Sequence, residues 1–132
     1  MSDPTPAAPA RSDFRFFHPL RVRWGEVDAQ GVVFNPNYLV FADVAATEYM
    51  RAAAIGLAEM DDLFVVNAHV DFLASALFDD ELDIGVGDGR VGRSSFEPRF
   101  GLFRGPDLLT RVSLTYVRAD PVEKRARALD PA

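Results

Sequence analysis

The chain contains no cysteine, and only one of its 14 basic residues, Lys124, is a lysine. Without thiols there is no disulfide framework, no cysteine nucleophile and none of the usual structural zinc sites. Long apolar runs are missing too. Nothing approaches the roughly 20 residues that span a bilayer, and the first residues lack the basic start and hydrophobic stretch of an export signal. Positive charge is scarce, with 14 Lys and Arg against 20 Asp and Glu for a formal net charge of −6. Such a balance does not gather phosphate backbones or anionic lipid, which argues against nucleic-acid and membrane partners. No Gly-x-Ser-x-Gly elbow, phosphate-binding loop or dinucleotide fingerprint is present. The two histidines, His18 and His69, have no ligand-spaced companions, so no metal site is expected. Together these absences predict a soluble, cytoplasmic protein without a cofactor.

What is present suffices for one domain. At 132 residues and 48% hydrophobic, the chain can bury about two thirds of the surface its unfolded form exposes. Residues 1–13, with prolines at 4, 6 and 9 and no large apolar residue after Met1, read as a flexible tail. Residues 14–132 read as the domain. Leu20, Val22 and Trp24 alternate with Arg21 and Arg23, the period of a half-buried strand. Asn35-Pro36 supplies a helix start, and the run to Ile55 is unbroken by Gly or Pro until Gly56, predicting a helix of about five turns. Its apolar positions are broader than one stripe. Four further alternating stretches follow, around residues 66–72, 82–86, 96–102 and 108–116. Pro98 marks an edge or bulge in the third. The order strand, long helix, four strands predicts an α+β domain in which an antiparallel sheet of about five strands curls around one helix.

The chemistry-bearing stretch is Trp24 to Tyr38, WGEVDAQGVVFNPNY. Asp28 stands in a glycine-containing loop seven residues before Asn35, where a carboxylate can approach the N–H groups of a helix start. A carboxylate beside oriented amide donors is a minimum for acyl hydrolysis: one attacks or activates water, the others stabilise the developing oxyanion. The same aspartate in the same loop also suits a turn-capping role around Gly31. Asp43, among apolar helix neighbours, must be hydrogen-bonded, raised in pKa or turned toward a subunit interface.

The residues Val22-Arg23-Trp24, Asp28, Gly31-Val32-Val33-Phe34, Asn37-Tyr38-Leu39, Phe41 and Thr47-Glu48-Tyr49 resemble the hotdog-fold acyl-CoA thioesterases of the 4-hydroxybenzoyl-CoA thioesterase and YbgC-like group. Val70-Asp71-Phe72-Leu73, Gly92-Arg93-Ser94-Ser95 and Thr115-Tyr116-Val117 extend the likeness from about Arg21 to Asp120. The resemblance implies a hotdog fold that hydrolyses an acyl-CoA thioester to the free acid and coenzyme A. It implies that Asp28 is the catalytic nucleophile or base, with Asp43 on the helix as a reserve acid, and that the backbone N–H of Asn35 polarises the thioester oxygen. It implies that Arg93, Ser94 and Ser95 meet the coenzyme A arm, where a guanidinium fork suits phosphate. A homodimer, commonly doubled to a homotetramer, with sites at subunit boundaries is part of the same implication. The competing readings are a hotdog hydratase or dehydratase, which normally adds a histidine absent from this loop, and a noncatalytic acyl-CoA-binding protein.

Overall fold

The sheet is built where apolar residues alternate, and the helix where they do not. In the computed structural model, which describes residues 8–54, 62–87 and 89–119, the strands are β1 (Phe16–Arg21), β2 (Leu63–Phe72), β3 (Glu81–Gly87), β4 (Ser95–Phe96), β5 (Arg99–Arg104) and β6 (Asp107–Arg118), and the helix is α1 (Asn37–Ala52). They form one antiparallel sheet in the order β1-β3-β5-β6-β2, with the short β4 pairing on β6.

In-register neighbours share a face. Ile84 opposite Leu102, Val86 opposite Phe100, and Phe100 opposite Val112 put one apolar surface on the inner side. The helix lies on that surface through Phe41, Ala42, Ala45 and Ala46, each at most 2% exposed. The three alanines add little bulk on the helix side, so Phe41 and sheet residues such as Ile84, Leu102 and Phe100 fill the space between the layers. This is the hotdog arrangement, with α1 as the filling.

The outer face is covered from the N-terminal side. Gly85 and Gly101 face each other across β3 and β5, and the Phe14 ring is seated over them. A methyl group at Gly85 would lie 2.6 Å from Phe14 Cγ, and one at Gly101 2.8 Å from Phe14 Cε2. Phe14 also meets Phe103 edge to face at 5.8 Å. Just ahead of it, Arg11–Asp13 forms a 3₁₀ turn, and Arg11 bonds Asp83 at 2.5 Å.

Several boundaries differ from expectation. Of the expected tail, 1–13, residues 1–7 lie outside the described residues, while Arg11 is bonded to the sheet at Asp83 and Asp13 closes the turn on Ala10. The first strand is Phe16–Arg21 rather than Leu20 to Trp24, because Trp24 opens a second 3₁₀ turn, Trp24–Glu26. The alternation carried on past the true end of pairing. Helix α1 stops at Ala52, and Ala54 rather than a glycine takes the left-handed conformation, with φ +62°. The expected cap Gly56 and the C-terminal segment beyond Ala119 lie outside the described residues. Pro98 splits the expected strand into β4 and β5, as an imino acid without an N–H donor does.

Strand β2 is the outer edge next to β6. Phe64, Val65, Val66 and Phe72 on it are each more than 40% exposed, as is Val40 on α1. The broad apolar helix surface is thus covered on the sheet side and left open along Val40 and Val44. Among the described residues no helix is long and apolar enough to cross a membrane.

Candidate active site

Between β1 and α1 the chain folds into a small hairpin. Phe34 N–H donates to the Glu26 carbonyl at 2.9 Å, Val27 bridges Val33, and Asp28 N–H donates to the Val32 carbonyl at 2.8 Å. The turn closes with Gly31 N–H to the Asp28 carbonyl at 2.9 Å, and Gly31 has φ +81°. That angle is open to glycine at no steric cost. A third segment joins the hairpin: Val32 bridges Leu77, and Val33 N–H reaches the Ala76 carbonyl at 2.9 Å. Tyr38, buried in the first turn of α1, accepts the Ala76 N–H on its hydroxyl at 3.0 Å. The loop, the helix start and the approach to β3 are therefore one bonded unit.

Asp28 is half-buried at the turn end of this hairpin. Its Oδ1 accepts the Gln30 N–H at 2.8 Å, which is the turn-capping role open from sequence. Its Oδ2 accepts no hydrogen bond among the described residues. One oxygen thus orients the carboxylate and leaves the other available. The two sequence readings of Asp28 are compatible.

The helix start presents one open donor. From Phe34 to Leu39, Phe34 N–H bonds Glu26, Asn37 N–H bonds Phe34 at 2.8 Å, Tyr38 N–H bonds Asn35 at 3.2 Å and Leu39 N–H bonds Pro36 at 3.1 Å. Pro36 has no N–H. The Asn35 N–H is left without an acceptor among the described residues. Asn35 was expected to cap the helix with its side chain, but Pro36 is the N-cap residue and no side-chain cap bond forms. The hairpin register sets Asn35 one step past the Phe34–Glu26 pair, on the side that leads into the helix, whereas Asp28 pairs with Val32 on the turn side.

Two residues of this unit were given no role from sequence. Glu26 is 9% exposed, and its carboxylate takes the Arg23 N–H at 2.7 Å and the Arg23 guanidinium at 2.6 Å. Burial works to push this carboxyl up, but the Arg23 side chain, backbone N–H and charge outweigh it and hold it below the usual range. Asn37 Nδ2 donates to the Glu26 carbonyl at 2.9 Å. The spacing Arg23-x-x-Glu26 was the one available signal, since an acid three residues into a helical turn closes a box on its own first residue.

Arg93, Ser94 and Ser95 lie elsewhere in the protomer. Gly92 N–H bonds the Ser95 carbonyl at 2.8 Å, and Ser95 and Phe96 pair with Val117 and Tyr116 at the far end of β6. The Asp28 unit meets β6 at its other end, where Leu73 and Ala74 N–H bond the Leu109 carbonyl. Eight residues of strand separate the two levels, roughly 25 Å. One protomer does not bring the two groups together.

Asp43, the reserve acid, is exposed on α1 and accepts the Tyr116 hydroxyl on Oδ1 at 2.8 Å. Burial, then the bond and charge of Asp43, push the Tyr116 phenol far above its ordinary value. His18 lies on edge strand β1 opposite Ile84. A cavity of about 500 Å³ opens on the outer sheet face beside Phe14, Asp71, Arg99 and Arg111, and neither Asp28 nor Asn35 lines it. Its Asp71 is already held by Arg111 at 2.8 Å and His69 at 3.1 Å. Among the described residues no group of three or more His, Cys, Asp or Glu is placed to hold a metal ion.

Known proteins match this architecture. Residues 30–110 match the model of the thioesterase superfamily. The acyl-CoA thioesterase YbgC of Haemophilus influenzae is 31% identical over 115 residues, 82% of this chain and 83% of that protein. Among solved structures, a 1,4-dihydroxy-2-naphthoyl-CoA thioesterase from Synechocystis superimposes with a TM-score of 0.80 at 20% identity, covering 87% of this chain and 89% of the other. A Thermus thermophilus thioesterase complexed with coenzyme A and zinc superimposes at 0.79 with 23% identity, covering 89% and 88%.

Proposed function

Because the chain belongs to the thioesterase superfamily and is a thioester hydrolase, we propose that it cleaves acyl-CoA esters at the hairpin that carries Asp28 and leads into α1. The observation that carries this reading is the presence of two open groups on one bonded unit, the Asp28 Oδ2 and the Asn35 N–H. The thioester carbonyl lodges between them. The Asp28 carboxylate attacks its carbon, or deprotonates the water that does. The C–S bond then breaks and the thiolate leaves as coenzyme A after taking a proton. If Asp28 is the nucleophile, water cleaves the resulting anhydride and restores the carboxylate. Throughout, the Asn35 N–H and the positive end of α1 stabilise the oxyanion. The hydratase reading has no histidine to support it in this loop, and a noncatalytic role leaves the open carboxylate oxygen without a use.

The distant turn enters through a second protomer. When two β2 edges pair about a two-fold axis, every strand of the partner runs in reverse, so its Val117 end of β6 lies at the Asp28 end of the first protomer. The partner's Arg93, Ser94 and Ser95 are thereby carried toward this site, where the guanidinium suits a coenzyme A phosphate. The exposed Phe64, Val65 and Val66 on the edge and Val40 and Val44 on the helix support a homodimer of this kind. The apolar area they offer is also what a further doubling to a tetramer would draw on. The Haemophilus relative's acyl-CoA activity supports the substrate class.

Asp28→Asn preserves shape and the bond from Gln30 while removing the nucleophile or base. Hydrolysis measured by thiol release should fall by about 10²–10⁴-fold with the fold intact. Turnover near that of the unaltered chain would refute the mechanism.

A further inference from the structure

We propose that Glu26 and Asn37 form a positioning clamp that sets the separation between the Asp28 carboxylate and the Asn35 N–H. This assignment rests on the hydrolytic reading above. Three observations carry it. First, the Glu26 carbonyl accepts two donors, Phe34 N–H and Asn37 Nδ2, both at 2.9 Å, which uses both of its lone pairs. Second, those donors flank Asn35, one on the residue before it and one on the second residue after it. The open N–H is therefore bracketed by two ties to the segment that leads into Asp28, two residues beyond Glu26. Third, Glu26 is nearly buried, with both carboxylate oxygens bound by Arg23. Closing a three-residue turn does not require a buried charge. Burying one is costly unless it is bonded, and the bonds made here fix the peptide whose carbonyl is the anchor point.

Asn37 is informative for what it does not do. Its side chain reaches back 11 residues to the loop, while its own helix start has no side-chain cap. Helix stability alone would favour a capping bond, worth about 1 kcal/mol. The side chain instead ties the helix to the hairpin. A tie of this kind acts on the geometry of attack, because the reacting atoms must approach to about 3–3.5 Å in the right direction and a shift of about 1 Å costs on the order of a hundredfold in rate.

The test uses the full chain with Glu26→Gln and Asn37→Ala, the second favouring helix where it is placed. The measurements are kcat and KM for an acyl-CoA, Kd for a nonhydrolysable coenzyme A thioether, and the thermal midpoint. We expect each variant to lower kcat about 10- to 100-fold, with KM and Kd within about threefold of the unaltered chain. The double variant should fall less than the product of the two single effects, since both act through one carbonyl. The loss should persist at temperatures where each variant is fully folded. Retained kcat in both folded variants would overturn the clamp, as would a loss confined to KM or one that follows the unfolded fraction. Should Asn37→Ala not fold, Glu26→Gln and Asn37→Ser decide on the same criteria. Asp28→Asn is run alongside. If it retains turnover, the assignment of Asp28 fails. If it is dead while both clamp variants keep their kcat, the clamp alone fails.

Discussion

Asp28 and Asp71 show how the surroundings give two aspartates different work. Asp71 sits on β2 with Arg111 across the ladder and His69 two residues away. The Arg111 guanidinium, more than His69, holds its carboxyl below the usual range. Glu26 is held low by Arg23 against its own burial. Both groups have folded values below their unfolded ones, so the stabilisation they give is complete above the ordinary carboxyl range and is lost as pH falls through the folded values. Urea midpoints followed from pH 6 down to about pH 2 should therefore fall, and Arg111→Leu should flatten the part due to Asp71. An unchanged slope in that variant would show that Asp71 owes its value to another group. The Asp28 turn and the helix start after Asn35 were legible at this scale, because a glycine-turn aspartate ahead of an Asn-Pro pair is a local pattern; the roles proposed for the two residues came from the family resemblance. Glu26 and Asn37 were not. The spacing Arg23-x-x-Glu26 signals only the box of its own turn, whereas the tie between Glu26 and Asn37 joins a turn to a helix start 11 residues on and leaves no local sign.

At the scale of elements, alternation predicted the strands and missed their ends. β1 begins four residues earlier than its pattern suggests, because Phe16 and His18 are held by pairing with Val86 and Ile84 rather than by their own periodicity. Gly85 and Gly87 read as the polar face of β3, yet Gly85 is buried. The ring that covers it comes from Phe14, about 70 residues away in sequence, so no local pattern could show it. The fit between them predicts a coupled defect. Gly85→Ala should cost about 1–3 kcal/mol, as overpacking does, since the new methyl would meet Phe14 Cγ at 2.6 Å and Cβ at 2.9 Å. Phe14→Ala should cost about 3 kcal/mol by loss of packing. Combined, the two should cost clearly less than their sum in a urea double-mutant cycle, because truncating the ring removes its 2.6 Å clash. Strict additivity would mean that the chain relieves the contact elsewhere.

For the whole molecule, the overall architecture was legible because strand, long helix and four strands leave few ways to bury both layers. The sixth strand was hidden, being the two-residue β4 cut off by Pro98. The far placement of Arg93 to Ser95 was hidden too, since sequence order says nothing of which end of β6 a turn will join. In the proposed dimer, that placement would make activity depend on the β2 edge. Val66, the residue left over where the β2–β6 register shifts between Val65 and Asn67, is 61% exposed. A lysine there should block edge pairing. Val66→Lys is expected to sediment as a monomer and to lose most of its kcat/KM for acyl-CoA. A monomer with full activity would remove the partner's turn from the site.

The Phe14 seat has a practical bearing on such experiments. It fixes the beginning of the domain to the side of the sheet that turns its back on α1, where Ala8 and Pro9 line the same cavity as His69 and Asp71 of β2. A fluorophore attached at Ala8 would therefore sit on this rear side close to β2, where its emission can follow assembly along that strand without the dye entering the hairpin that carries Asp28.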